Sequence, residues 1–270
     1  MFIPPKKSLG QHFLNSKTAI DLTVEAANIS SQDIILEVGP GKGVLTEGLL
    51  ACAREVIAVE KDDRLIMHLA FKFKQELESG KLKLIAGDIL EFDPGNQNLR
   101  PGGYKIVANI PYYITGAFLR RFLGTVTAPS LMVLMLQKEV ARRIVSRDEK
   151  ESILSISVKT YGKPHYIETV GKEQFSPRPK VDSALLLVDH ISKHAFEKVD
   201  EESFFAVLKT GFAKKRKKLI SNLSEQYPRE LVKTVFQKEG LDENVRAEDL
   251  KLEQWKALAL LVGKERFKGA

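Results

Sequence analysis

The chain has 270 residues, 43% hydrophobic and 29% charged, a composition suited to one large and one small folded domain. Its 42 Lys and Arg against 35 Asp and Glu give a formal net charge of +7, which suits a polyanionic partner, nucleic acid rather than membrane. A single cysteine, Cys52, excludes an internal disulfide, the five histidines show no metal-ligand spacing, and no apolar run approaches the ~18 residues of a membrane span.

The basic start, residues 1–7, precedes no apolar segment, so no signal peptide is expected and the cytoplasm is the expected compartment. Residues 16–27 predict a helix, with Ile20 and Val24 one turn apart. Strands are predicted at 33–38, 55–60, 82–86, 105–109 and 131–136, and helices at 44–53, 62–78 and 114–123. This alternation predicts an α/β fold whose parallel sheet is covered on both faces. Near residue 164 the pattern changes: 164–170 and 181–190 predict two strands around a proline-rich loop, giving the sheet an antiparallel edge. Beyond residue 190 the spacing is helical, with Phe204, Leu208 and Phe212 at i+4 and Leu219 and Leu223 likewise. Residues 1–189 are expected to form the larger domain and 190–270 a small all-helical one, where the positive excess is denser.

Glu37-Val38-Gly39-Pro40-Gly41-Lys42-Gly43 follows a strand and opens a helix. Its glycines allow a sharp turn and close approach to a ligand. The next strand ends at Glu60, placed to accept hydrogen bonds from both ribose hydroxyls of an adenosine cofactor. A nicotinamide cofactor fits that much equally well. Against it stand the G-x-G-x-G spacing and Asp88, which closes the third strand and is read evenly as a loop cap and as an acceptor for a cofactor adenine amine.

The fourth strand runs into Asn109-Ile110-Pro111-Tyr112. Adenine N6 is a poor nucleophile because its lone pair is delocalised into the ring. The Asn109 amide oxygen and the Ile110 carbonyl can accept both its N–H bonds and free the lone pair toward a methyl donor. Pro111 keeps Ile110 extended, and Tyr112 offers a ring on which a flipped base stacks. No covalent nucleophile is required. Cys52, inside the helix after the glycine loop, is a poor candidate for the cysteine that carbon methylation of a pyrimidine needs.

These segments, with Lys7-Ser8-Leu9-Gly10-Gln11-His12-Phe13-Leu14, Leu136-Gln137-Lys138-Glu139-Val140-Ala141 and Phe175-Ser176-Pro177-Arg178-Pro179-Lys180-Val181-Asp182-Ser183, resemble the bacterial small-subunit (16S) ribosomal RNA adenine N6,N6-dimethyltransferases, the kasugamycin-sensitivity family. The resemblance runs from residue 7 to about 223. It implies a Rossmann-like methyltransferase sheet with a helical C-terminal domain, S-adenosyl-L-methionine as cofactor, and a monomer without metal. The implied reaction is dimethylation of two adjacent adenines in the 3′-terminal stem-loop of 16S ribosomal RNA in the assembling 30S subunit. Carried over by motif, His12 and Leu14 border the cofactor, and Gly39, Glu60, Asp88 and Asn109 bind it. Asn109, Ile110 and Tyr112 act on the base, and Phe175 covers its second face. Many members have Asn where His12 stands, and Lys61 replaces the apolar residue expected after Glu60.

The run Lys214-Lys215-Arg216-Lys217-Lys218 lies between Phe212 and Leu219, so its cations are expected to fan around the free faces of a segment anchored on one side. Phosphate binding is the preferred reading over a solvated helix face, with Arg142, Arg143 and Arg147 as the fallback. The rivals are a non-catalytic RNA-binding assembly factor, a methyltransferase of large-subunit ribosomal RNA, a DNA adenine methyltransferase and a nicotinamide oxidoreductase.

Overall fold

The computed structural model describes residues 3–262. Its contacts form two units: the chain up to Ala141 with Gly162–Ile191, and Arg142–Tyr161 with the chain from Ser192 onward. In the first unit, β1 (Phe13–Leu14) is followed by α1 (Lys17–Ala26), capped by the Ser16 hydroxyl, which accepts the Ala19 N–H. There follow β2 (Ile34–Val38), α2 (Val44–Cys52), β3 (Glu55–Glu60), α3 (Asp63–Lys72), α4 (Lys74–Glu78), β4 (Leu82–Ala86), β5 (Lys105–Asn109), α5 (Thr115–Gly124) and β6 (Leu131–Gln137). The chain passes to the second unit within α6 (Lys138–Val145), forms α7 (Ile153–Tyr161) there, and returns as β7 (Lys163–Val170), β8 (Phe175–Ser176) and β9 (Ser183–Asp189).

Seven strands form one sheet in the order β4-β3-β2-β5-β6-β9-β7. The five from β4 to β6 are parallel; β9 runs antiparallel to both β6 and β7. Strands β2 and β3 are apolar almost throughout and buried, as strands covered on both faces must be. From β2 the chain builds outward to β3 and β4, then crosses to β5 and β6 on the other side. That reversal opens a crevice at the carboxyl ends of β2 and β5, where open α/β sheets bind ligands.

The helix predicted over 62–78 breaks at Phe73, whose buried ring packs where a side chain on Gly43 would fall, 2.5 Å from it. Short α6 and α7 carry no long apolar stripe and escaped prediction.

The second unit joins α7 to α8 (Glu201–Gly211), α9 (Leu219–Leu223), α10 (Arg229–Lys238) and α11 (Leu252–Val262). Ile156 of α7 packs into the same core as Phe204, Leu208, Leu219 and Trp255, so residues 142–161 go with the helical unit, whereas the sequence suggested a single boundary near 190. Buried Glu151 ties this excursion together through Lys159 Nζ at 2.7 Å and the Ser146 hydroxyl at 2.6 Å. The basic run is a loop, not a helical segment: α8 ends before it and α9 begins after it. Buried Asn222 fixes the loop by donating to the carbonyls of Gly211 (2.6 Å) and Lys214 (3.2 Å). Among the described residues, no helix is long and apolar enough to cross a membrane, and no cluster of His, Cys, Asp and Glu could hold a metal ion.

Candidate active site

A cleft opens along the carboxyl ends of β2, β3, β4 and β5, and each loop leaving them supplies a wall: Gly39 after β2, Glu60 at the end of β3, Asp88 after β4 and Asn109 at the end of β5. Gly39, Gly41 and Gly43 have φ of +64°, +61° and +74°, a region L side chains rarely enter. A Cβ on Gly41 would also lie 3.0 Å from the Phe13 ring of the N-terminal arm.

Glu60 is buried, and its carboxylate organises the loop around it. One oxygen accepts the Gly41 N–H at 3.2 Å, the other the N–H groups of Lys61 and Asp62, both at 2.9 Å. Burial raises its pKa, and these three donors hold it down in part. A carboxylate accepts at about four sites, so capacity remains for a ligand hydroxyl. Of the two roles read for Asp88, the structure displays the loop cap. One oxygen caps the turn by accepting the Leu90 N–H at 2.9 Å; the other pairs with Lys61 Nζ at 2.6 Å, and that ammonium holds its carboxyl below the usual range.

Sequence reasoning quoted Glu37 but gave it no role. It lies on β2 beneath the glycine loop, fully buried, and neither carboxylate oxygen has a hydrogen-bond partner among the described residues. Burial pushes its carboxyl up to about 8, with the neighbouring Glu60 adding to the rise; Thr46, without hydrogen-bond geometry to it, and Lys72 pull the other way. The available signal was an acid inside an otherwise apolar strand.

The arm straps the cleft. β1 pairs antiparallel with β8, Phe13 opposite Ser176 and Leu14 opposite Phe175. Gln11 donates to Asp62 at 3.0 Å, and Lys42 Nζ lies 4.9 Å above the Phe13 ring. The Asn109 amide nitrogen donates to the His12 carbonyl at 3.1 Å, which turns its oxygen away from the arm; that oxygen accepts no hydrogen bond from the described residues. The Tyr112 hydroxyl shares a 2.7 Å hydrogen bond with buried Ser183 of β9, and burial raises its pKa. Its ring lies 6.0 Å from the His12 ring, the planes 21° apart. The His12 Nδ1 bonds the Pro177 carbonyl at 2.7 Å.

His12, Leu14, Gly39, Glu60, Asp88, Asn109, Ile110 and Tyr112 thus meet on one cleft. Phe175 does not. It is buried in the same core as Leu14, which it faces in the β1–β8 pair, and it does not line the cleft. All five cations of the basic run are exposed in the second unit, and Lys214 pairs with Glu225 at 2.5 Å.

Residues 4–264 match the family model described as ribosomal RNA adenine dimethylase. The chain is 40% identical to the ribosomal RNA small subunit methyltransferase A of Dehalococcoides mccartyi, over 95% of this chain and 88% of that one. It is 36% identical to the protein of the same name from Rippkaea orientalis, over 93% and 95%. Among solved structures it is similar to a dimethyladenosine transferase from Plasmodium falciparum (TM-score 0.78, 26% identity, 96% and 98% covered). It is also similar to the 23S rRNA methyltransferase ErmE (TM-score 0.76, 26% identity, 93% and 99% covered). The glycine loop, the acids ending successive strands and the Asn109 to Tyr112 turn therefore sit on a chain matched along nearly its whole length, and the protein belongs to the ribosomal RNA adenine dimethylase family.

Proposed function

We propose that this protein uses S-adenosylmethionine to dimethylate N6 of two adjacent adenines in the 3′-terminal stem-loop of 16S ribosomal RNA within the assembling 30S subunit, acting as a monomer in the cytoplasm. The observation that carries the reading is the meeting of Glu60, Asn109 and Tyr112 on one cleft at the switch point of the sheet. The relatives named for the small subunit favour that target over the large one.

The residues present fit the cofactor. Glu60 keeps acceptor capacity for ribose hydroxyls, Asp88 lies at the adenine end, Gly39 lets the backbone approach, and the orphaned carboxyl of Glu37 suits the amino group of the methionyl part. His12 and Leu14 border this space from the arm. When bound, S-adenosylmethionine supplies a methyl group already activated on its sulfonium. The chain supplies position and acceptors. Tyr112, held at its hydroxyl by Ser183, stacks on the flipped adenine, and the Asn109 oxygen and Ile110 carbonyl accept its two N–H bonds. No residue need act as a strong base, because the methylated nitrogen sheds its proton readily. Radiolabelled methyl transfer to small subunits from cells lacking their own enzyme tests this: incorporation is expected, and binding without incorporation would favour a non-catalytic assembly factor.

Glu37 makes cofactor binding pH-dependent. Its folded pKa, about 8, exceeds the ordinary 4.5, so between those values the folded protein holds the extra proton. The unliganded protein therefore loses stability as pH rises through that window. An ammonium beside Glu37 favours the carboxylate, so binding at pH 7 should release a proton. Affinity should rise by up to about tenfold per pH unit toward pH 8, then level off as an α-amino group, pKa roughly 7.7–8.0, loses its own proton. Calorimetry in buffers of different ionisation heat checks this; Glu37→Gln should abolish the release, and buffer-independent heats in the wild type would contradict it.

The basic loop is the proposed phosphate contact of the second unit. Because Lys214 is paired, replacing Lys215, Arg216 and Lys217 with Ala is the sharper test. The log–log salt slope for binding small-subunit particles should fall by up to ~2–3 units. Cofactor affinity should stay unchanged, since none of these residues lines the cleft. A wild-type slope in the variant would make the loop a merely solvated surface.

A further inference from the structure

We propose that Lys61 is a specificity-determining contact for the purine of the cofactor: its ammonium, moored on Asp88, sets a hydrogen-bond donor beside the carboxylate acceptor, and the pair reads a 6-oxo purine as well as a 6-amino one. The inference rests on the reading that Asp88 lies at the adenine end of the cleft. Lys61 stands where an apolar residue is expected after Glu60. An apolar side chain there covers a ring but bonds nothing on its edge.

The backbone brings the two groups together. Glu60 ends β3, Ala86 ends β4, and the two are partners in the parallel ladder. Lys61 and Asp88 leave these neighbouring ends and bridge them, Nζ to Oδ2 at 2.6 Å. Lys61 is tied at its base as well, its N–H donating to Glu60 Oε1 at 2.9 Å. The bridge thus runs from the proposed ribose acceptor to the proposed adenine acceptor, and all three residues line the cleft. A Cβ on Gly87, also in this wall, would meet nothing within 4 Å, so the stretch leaves room for a flat ring.

Neither charged group is saturated. An ammonium has three donors, and Asp88 takes one. A carboxylate accepts at about four sites, and the Leu90 N–H and Lys61 use two of those on Asp88. Adenine presents an amine donor at position 6 and a ring acceptor at N1. A 6-oxo purine presents the reverse, a carbonyl acceptor and an N1–H donor. Asp88 alone suits the first edge and repels the carbonyl oxygen of the second. With Lys61 beside it, the adenine amine donates to Asp88 and N1 accepts from Lys61. The 6-oxo edge uses the same two partners in exchanged roles. The Lys61 side chain is half-exposed and flexible, so its head shifts between the two arrangements while still solvated.

The test is calorimetric binding of S-adenosylhomocysteine and its deaminated analogue, S-inosylhomocysteine, to the full chain as wild type, Lys61→Met, Lys61→Arg and Asp88→Asn. Wild type should prefer the adenosyl compound by less than about tenfold, and Lys61→Met should prefer it by a further factor of roughly ten to one hundred, the cost of a polar group left without its partner. Lys61→Arg keeps a donor and should keep the wild-type ratio. The ratio is taken within each variant, so a general loosening of the site, which weakens both compounds alike, does not move it. The same ratio in wild type and Lys61→Met would overturn the inference. Asp88→Asn tests the reading beneath it: an amide is a poorer acceptor than a carboxylate, so S-adenosylhomocysteine should bind more weakly. Wild-type affinities for both compounds in Asp88→Asn would move the purine away from Asp88. Weakened binding in Asp88→Asn with an unmoved ratio in Lys61→Met sinks this inference alone.

Discussion

Asn109→Ala is expected to slow methyl transfer by on the order of a hundredfold or more, the loss seen when one acceptor or donor aimed at a transition state is removed. The geometry gives the residue one task on each side of its amide. The nitrogen is spent on the His12 carbonyl at 3.1 Å, which fixes the orientation and leaves the oxygen for the reacting amine. Alanine removes both, so the arm loses a tether as well as the base an acceptor. Single-turnover rates at saturating cofactor separate the chemical step from weaker cofactor binding. A near-normal rate under those conditions would contradict the role given to Asn109. Asn109→Asp refines the result: a carboxylate keeps an acceptor oxygen but cannot donate to His12, so partial activity is expected with a looser arm.

Glu60→Ala is expected to weaken S-adenosylmethionine binding by about 1.5–3 kcal/mol, the range for hydrogen bonds to a charged group. The loss has a second part that the sequence could not foresee. Three backbone N–H groups, of Gly41, Lys61 and Asp62, depend on this carboxylate, and alanine leaves them without it in a buried place. The apo protein should therefore also melt earlier. Glu60→Gln keeps one acceptor oxygen, and its deficit in calorimetric affinity should fall between wild type and alanine. Unchanged affinity in both variants would remove Glu60 from the site.

The sheet was legible because parallel strands buried on both faces must be apolar along their length, and β2, β3, β5 and β6 read that way directly. Less legible were β1 and β8, two residues each, whose pairing is a tertiary event. The same pairing sets Phe175 opposite Leu14 in the core, and a ring before a proline loop reads alike in sequence whether it turns to the core or to the cleft. Residues 142–161 were assigned to the wrong unit by a linear boundary, since nothing local to Ile156 says that it packs on Trp255 and Phe204. The five consecutive cations form a loop, and Asn222 provides the local reason, tying two carbonyls that a continuous helix would use itself. Glu60, Asp88 and Asn109 were read from motif and strand-end position, and the structure brings them to one cleft; Glu37 was given no role because its signal is an absence of partners, visible only once the strand is buried.

The central claim is methylation of adenine N6 in small-subunit ribosomal RNA, and mass spectrometry of that RNA from cells with and without this protein tests it most directly. The account predicts two adjacent N6,N6-dimethyladenosines near the 3′ end of 16S RNA when the protein is present, and unmodified adenines there when it is absent or carries Asn109→Ala. Identical small-subunit RNA in the two strains, or dimethyladenosine appearing only in the large-subunit RNA, would contradict it.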